Sequence, residues 1–268
     1  MSLSTAANVS LPVKRKANQL AKYYNIIREL AIADFRLKYH DSVLGYIWSM
    51  LNPLLMFGVY YFVFTKIFQS NIQSYPLFLM AGILGYTFFQ DCTFSAMNSL
   101  SQKSQLMKKI YFPKFVLVIA SSFTCTLSLL INMFVLLVLA IILRGPVPLM
   151  LLIPVPIICL ICFSIGVSFL LATLYAYFRD MGQIWGVLVL MIFWLSPIVF
   201  DVDLLPATIS RLVYFNPLTR ILGLFRHYTI YNYFDLRFLL MTIFYSVLML
   251  CIGYLVFRQH EDRLAELF

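Results

Sequence analysis

Charge is scarce in this sequence: Asp, Glu, Lys and Arg make up 12% of its 268 residues, where an ordinary soluble domain carries about a quarter. With 62% hydrophobic residues and a mean hydropathy of +0.88, the chain is excluded from the disordered and ordinary soluble classes. A nucleotide-binding loop is missing as well. None of the ten glycines is followed by Lys, so no G-x-x-x-x-G-K-[ST] exists and ATP cannot be held by that route. Histidine is sparse and scattered at His40, His227 and His260, without an H-x-x-H, an H-E-x-x-H or a Cys/His cluster, which argues against a metal centre. No G-x-S-x-G or comparable nucleophile motif is present, so an autonomous enzyme is disfavoured. The five cysteines (Cys92, Cys125, Cys159, Cys162, Cys251) all fall in apolar stretches, and the C-x-x-C of Cys159 and Cys162 reads as small packing residues. The first forty residues mix acids with bases and contain no apolar h-region, so no cleavable signal peptide is expected.

What the chain does have is apolar length. Charge-free runs at 42–65, 115–143, 145–178, 181–200 and 238–257 reach or exceed the roughly 20 residues a helix needs to cross a hydrocarbon core. The pattern predicts an all-α polytopic membrane protein with six transmembrane helices, at about 43–68, 76–98, 115–143, 150–176, 184–200 and 237–257. Ahead of them, 1–18 reads as a flexible polar tail and 19–42 as a cytoplasmic interfacial amphipathic helix, leaving 43–268 as one transmembrane domain. In the amphipathic segment Tyr23, Ile26, Leu30, Ala33 and Leu37 recur at helical spacing as one stripe, with Asn25, Arg28 and Arg36 opposite. A helix packed on another protein domain would show the same stripe. Asn52-Pro53 predicts a kink or a late start in the first span, because proline removes one backbone hydrogen bond.

Between spans 5 and 6, Asp201 to Asp235 is too polar to cross and too apolar for a free loop. Two short re-entrant helices are expected there, about 204–214 and 217–231, divided by the helix-starting Asn216-Pro217. Backbone that dips into a membrane this way must be buried in protein or line a cavity.

The most concentrated positive charge outside the N-terminal region is S-Q-K-S-Q-L-M-K-K-I-Y-F-P-K at 101–114, with Lys103, Lys108, Lys109 and Lys114. Basic loops stay in the cytoplasm. Six spans would put Lys14, Arg15, Lys16, Lys22, Arg28, Arg36, Lys38, the four loop lysines, Arg179, Arg258 and Arg263 on one side. Only Lys66, Arg144, Arg211, Arg220, Arg226 and Arg237 remain opposite, so both termini are expected in the cytoplasm. The net charge of +9 then reads as a topology and lipid-headgroup signal, with no nucleic-acid partner.

Three groups of residues carry candidate chemistry. Asp91, beside Gln90, is the only acid well inside an expected span, where insertion costs roughly 2.5–3.5 kcal/mol at the helix centre. A helix–helix hydrogen bond and a place on a transport path both remain open for it. Tyr60 and Tyr61 fall mid-span, away from any interfacial belt, and could line a path along which sugar rings slide on aromatic faces. Arg28, Arg36 and Lys38 set cations at headgroup height, suited to a lipid-linked pyrophosphate or to ordinary anionic lipid.

Five motifs in order carry a resemblance: D-F-R-L-K-Y-H-D-S-V-L-G-Y-I-W-S-M-L-N-P-L at 34–54, L-M-K-K-I-Y-F-P-K at 106–114, F-R-D at 178–180, S-P-I at 196–198 and Y-F-N-P-L at 214–218. With them the chain, from about Tyr24 onward, resembles the ABC-2 type permease subunits of polysaccharide exporters. It is most similar to O-antigen (Wzm-type) permeases, with capsule and teichoic-acid permeases as relatives. The resemblance implies a homodimer paired with two separate nucleotide-binding subunits that hold ATP and Mg, so this chain would be non-catalytic and carry no cofactor of its own. It implies that loop 99–114 carries a coupling helix seated in the ATPase, with Lys103, Leu106, Lys108, Lys109, Tyr111 and Phe112 as contact residues. The interfacial helix would border substrate entry, and the re-entrant region 204–231, with Asn216, Pro217 and Arg220, would close the outer mouth. The cargo would be a polysaccharide on undecaprenyl diphosphate, crossing the bacterial plasma (inner) membrane. Other ABC-2 cargoes (teichoic acid, capsule, lipid or drug) fit the same pattern. A membrane enzyme acting on polyprenyl phosphates would need clustered Asp and His residues that the chain lacks.

Overall fold

A computed structural model describes residues 11–39, 45–67, 72, 74–109, 112–202 and 205–264, and the regular structure among them is entirely helical. In chain order the helices are α1 (Leu11–Tyr39), α2 (Trp48–Phe62), α3 (Tyr75–Gln102), α4 (Ser104–Lys109) and α5 (Phe115–Arg144). They continue as α6 (Pro154–Tyr177), α7 (Met181–Leu195), α8 (Ala207–Val213), α9 (Pro217–Arg226) and α10 (Leu236–Leu264). Four segments are long and apolar enough to cross a membrane: α3, α5, Pro148–Tyr177 (α6 with a short lead-in turn) and α10.

The other two expected spans are shorter as α-helix, for local reasons. α2 starts at Trp48, five residues later than expected, after a 3₁₀ turn at Gly45–Ile47, and continues beyond Phe62 only as a π-turn through Ile67. Pro53 cannot donate to the Ser49 carbonyl four residues back, and Asn132 Nδ2 of α5 donates to that oxygen instead, at 3.2 Å. A neighbouring helix thus supplies the donor that proline withdrew. α7 stops at Leu195 because Ser196-Pro197 follows.

α3 is the hub. Tyr75 to Phe89 is almost continuously buried among α2, α5, α6, α7 and α9. Ser74 adopts a left-handed φ of 50° and Pro76 occupies the first turn, which sets the direction of the helix. Gly82 and Gly85 face α9 so closely that an added Cβ would meet Arg226 Nη2 at 3.0 Å and Leu222 Cδ2 at 2.5 Å. That glycine face lets α9 bury Leu218, Ile221, Leu222, Leu224 and Phe225 against the bundle. α9 therefore meets the condition for polar backbone at membrane depth, whereas α8 buries none of its residues.

The most extensive helix pair is α6 with α10. A Cβ on Gly253 would lie 2.0 Å from the Gly166 carbonyl oxygen, and one on Gly166 would lie 2.5 Å from the Met249 oxygen. Small residues that admit backbone contact are the usual means of joining helices where lipid gives no hydrophobic drive.

Two details of the N-terminal expectation are corrected. Helix α1 begins at Leu11, so 11–18 is helical and not a loose tail; Pro12 suits a first turn and the Lys, Ala, Gln and Leu that follow are good helix formers. The buried face is also rotated. Tyr23, Ile26, Ile27 and Leu30 pack on the bundle with Ala31 fully buried, but Ala33 and Leu37 are exposed. Ala31 is small enough for α5 to approach, and Thr124 Oγ1 donates to its carbonyl at 3.3 Å. The helix thus lies on α5 of its own domain.

Candidate functional site

The basic segment after α3 folds into one short helix, α4, with a single side in contact with the bundle. Leu106 and Met107 rest on the cluster formed by α1, α5, α6 and α10, while Lys108 and Lys109 are exposed. Phe112 is buried in the same cluster, and Tyr111 lies outside the described residues. Pro113 precedes α5 by two residues, its carbonyl accepting from Val116 N at 3.2 Å.

The ends of this segment are tied to three other parts of the molecule. Lys103, which ends α3, forms an ion pair with Asp34 of α1, and both side chains are mostly buried, at 16% and 23% exposed. Lys114 bonds the last turns of α10 twice: its N–H donates to Glu261 Oε1 at 2.7 Å and its Nζ to the Glu261 carbonyl at 2.6 Å. Arg179, in the turn between α6 and α7, donates to Ser101 Oγ at 3.3 Å. A force on α4 would therefore reach α1, α10 and the α6–α7 turn directly. Lys103 faces inward to Asp34, unlike Lys108 and Lys109.

Asp91 does not meet the mid-span tyrosines. It lines polar cavities between α3, α5 and residues of α1 and α2. One cavity of about 440 Å³ is lined by Asp34, Lys103, Ser95, Ser121 and Thr124 among others, and ends at Asp91 and Cys125. A second, of about 240 Å³, shares those two residues and is lined also by Ser128, Asn52 and Trp48. Gln90 is half-buried and does not line either cavity.

Tyr60 and Tyr61 take part in two aromatic contacts that lock α2 to the bundle. Tyr60 stacks on Phe193 of α7 at 5.4 Å, and Phe193 meets Tyr86 of α3, whose hydroxyl donates to Val189 O at 3.0 Å. Tyr61 stacks between Phe57 and Tyr75, and Tyr75 on Phe78. Beyond Phe78 stands Arg226, its guanidinium 3.4 Å from the ring centroid and bonded to the Phe78 and Ile198 carbonyls. This fully buried arginine is the pin between α9, the start of α3 and the turn after α7.

Of the residues expected at the outer mouth, Asn216 caps α9 by accepting from Leu218 N at 3.0 Å, while its Nδ2 donates to Ser196 Oγ at 3.0 Å. Pro217 fills the first helical position. Arg220 donates to the Tyr214 carbonyl at 2.7 Å and lies over Phe238 and Tyr245 of α10. Arg28 and Arg36 are exposed on α1; the Lys38 side chain lies outside the described residues.

Sequence reading missed Asp34, Glu261, Asn132 and Arg226. Asn132 carried a signal, as a lone amide in an otherwise apolar stretch, whereas Arg226 shares its segment with Arg220 and His227 and is singled out only by its burial. Asp34 and Glu261 sit among other charges, and only the fold brings them to Lys103 and Lys114.

A family model described as ABC-2 type transporter matches residues 26–230. The O-antigen export system permease protein RfbA of Klebsiella pneumoniae is 26% identical over 267 residues, covering 96% of this chain and 100% of its own. A protein of the same name in Myxococcus xanthus is 25% identical over 211 residues, 78% of this chain and 81% of its own. The polysialic acid transport protein KpsM of Escherichia coli is 21% identical over 247 residues, 88% of this chain and 93% of its own.

Proposed function

The chain belongs to the ABC-2 type transporter family, and from that membership we propose that it is the transmembrane permease subunit of an ATP-driven exporter of undecaprenyl-diphosphate-linked, O-antigen-like polysaccharide across the bacterial plasma membrane. On this reading α2, α3, α5, α6, α7 and α10 are the six spans, and the distribution of bases supports cytoplasmic termini. Two copies form the path and two nucleotide-binding subunits supply ATP hydrolysis, in keeping with the absent phosphate-binding loop.

The observation that carries the mechanism is the α4 segment: two exposed lysines on a short helix tied at its ends to α1, α10 and the α6–α7 turn. Lys108 and Lys109 present cations to an ATPase cleft, while Leu106 and Phe112 hold the helix against the bundle. Closure of the ATPase dimer tilts α4, and the ties at Asp34, Glu261 and Ser101 pass that tilt to the interfacial helix and the spans. Arg28 and Arg36, exposed on α1, meet the diphosphate of the carrier lipid at the cytoplasmic headgroups. The α9 helix with its Asn216 cap closes the opposite mouth until α7 moves, because Asn216 bonds Ser196 at the end of that span.

The test is co-purification with the partner ATPase, followed by ATPase and transport assays in proteoliposomes. Lys108→Glu with Lys109→Glu should abolish complex formation or ATPase stimulation while membrane insertion stays normal. Full stimulation and export in that double variant would refute the coupling role. Similarity to the polysialic acid transport protein favours a capsule-type glycan as the second reading, which the cargo specificity of the same assay separates.

A further inference from the structure

We propose that a surface cavity at the end of α5 remote from α4 binds the phosphate of an anionic lipid headgroup, between Arg144 and Asn232. The site goes beyond the exporter reading and needs only that α5 spans the bilayer, for which it is long and apolar enough.

The cavity, of about 350 Å³, lies where the turn after α5 meets the turn after α9. Arg144 is the last residue of α5, and Gly145 follows at a φ of 81°, which a residue with a side chain rarely adopts. Residues 146–148 then form one wall beside Arg144. The other wall is 230–232, the end of the π-turn His227–Tyr231 together with Asn232, at a left-handed φ of 48°. Arg144 joins the two walls, because its Nη1 donates to the Ile230 carbonyl, one of the acceptors that a helix end leaves unserved.

That bond uses one of the five guanidinium N–H groups. Among the described residues no acid pairs with Arg144 and none lines the cavity. Asp201 accepts from the Tyr231 hydroxyl at 3.2 Å and is not part of either wall. An exposed cation in a cavity without a carboxylate selects an anion, and its level in the membrane selects which one. Ile141, Ile142 and Leu143, just before Arg144, are all exposed, and on a spanning helix such side chains meet acyl chains. Tyr231 and Tyr233, at the opposite wall, are exposed too, as are the aromatics that mark a membrane–water interface. The guanidinium therefore stands where acyl chains end and headgroup phosphates begin. Its planar fork takes two phosphate oxygens at once, and the Asn232 amide can donate to a third. A phosphate held this way bridges α5 to the segment behind α9.

The experiment places the chain in nanodiscs of phosphatidylcholine, alone or with increasing phosphatidylglycerol or undecaprenyl diphosphate. A further arm adds inorganic phosphate to phosphatidylcholine discs. The readout is hydrogen exchange of the amides at 227–233. Wild type should be protected by an anionic lipid and not by free phosphate, and the lipid that protects at the lower fraction identifies the source of the phosphate. Arg144→Gln keeps a donor for the Ile230 carbonyl but removes the charge. It should raise the anionic-lipid fraction giving half-maximal protection about tenfold, with exchange in phosphatidylcholine alone unchanged. Asn232→Gly suits the positive φ and removes only the amide, so it should raise that fraction a few-fold. Equal wild-type protection in every lipid overturns the site, as does protection by inorganic phosphate alone. So does an Arg144→Gln chain that keeps the preference, or one that loses protection alike in all lipids, which would leave Arg144 as a cap and nothing more. Neither ATP hydrolysis nor glycan transport enters the readout, so failure of the site and failure of the exporter reading are told apart.

Discussion

Replacing Gly253 with alanine tests how the two longest-contacting helices are held. The new Cβ would start 2.0 Å from the Gly166 oxygen, and ordinary contact begins near 3.4 Å, so α6 and α10 must part by about 1.4 Å at their crossing. The obstructing atoms are backbone, with a second approach of 2.8 Å to the Gly166 carbonyl carbon, so no side-chain rotation relieves the clash. Overpacking of this kind costs about 1–3 kcal/mol, and the upper end applies because the separation also loosens the contacts around Ser246, Tyr254 and Phe257. Gly166→Ala, facing the Met249 oxygen at 2.5 Å, should behave alike. Gly58→Ala has nothing within 4 Å and serves as the control, neutral or stabilising by up to about 1 kcal/mol from helix propensity. Equilibrium unfolding in mixed micelles, or thermal unfolding in detergent, measures all three. A Gly253→Ala protein within about 0.5 kcal/mol of wild type would refute the close-packing account.

Three further outcomes follow from single contacts. Asn132→Leu should destabilise by about 0.6–1.5 kcal/mol in the native background and by much less when Pro53 is also Ala, because the alanine N–H can then serve the Ser49 carbonyl; equal effects in both backgrounds would contradict the substitution of one donor for the other. Lys103→Asp alone should lower coupling of ATP hydrolysis to export by leaving two facing carboxylates, and Asp34→Lys added to it should restore most of the loss. Failure of the swap to rescue would mean the pair does not transmit force. Arg226→Lys keeps the charge but gives up the planar stack on Phe78, so hydrogen exchange in α9 should rise, reflecting about 1–2 kcal/mol of lost anchoring; unchanged protection would refute the pin.

The helical membrane character was legible because apolar runs of span length leave few other structures open to the chain. The two short helices after Ser196-Pro197 were legible too, since Asn216-Pro217 marks a helix start that the structure places at Pro217. The orientation of α1 was not. The stripe through Ala33 and Leu37 gives way to a face that includes Ile27 and Ala31, because the small Ala31 lets α5 come near. Lys103 looked like its neighbours Lys108 and Lys109, and what distinguishes it is an acid 69 positions away, which no local pattern reveals. Tyr60 and Tyr61 were readable as mid-span aromatics, but their stacking on Phe193 and Tyr75 depends on tertiary geometry alone.

The central claim is that this chain supplies a passage and a lever while another protein burns the fuel. Purified alone in proteoliposomes, it should neither hydrolyse ATP nor move lipid-linked glycan; adding the partner ATPase should bring both, stimulated together by the glycan lipid. Glycan movement by the isolated chain, with or without ATP, would contradict the account.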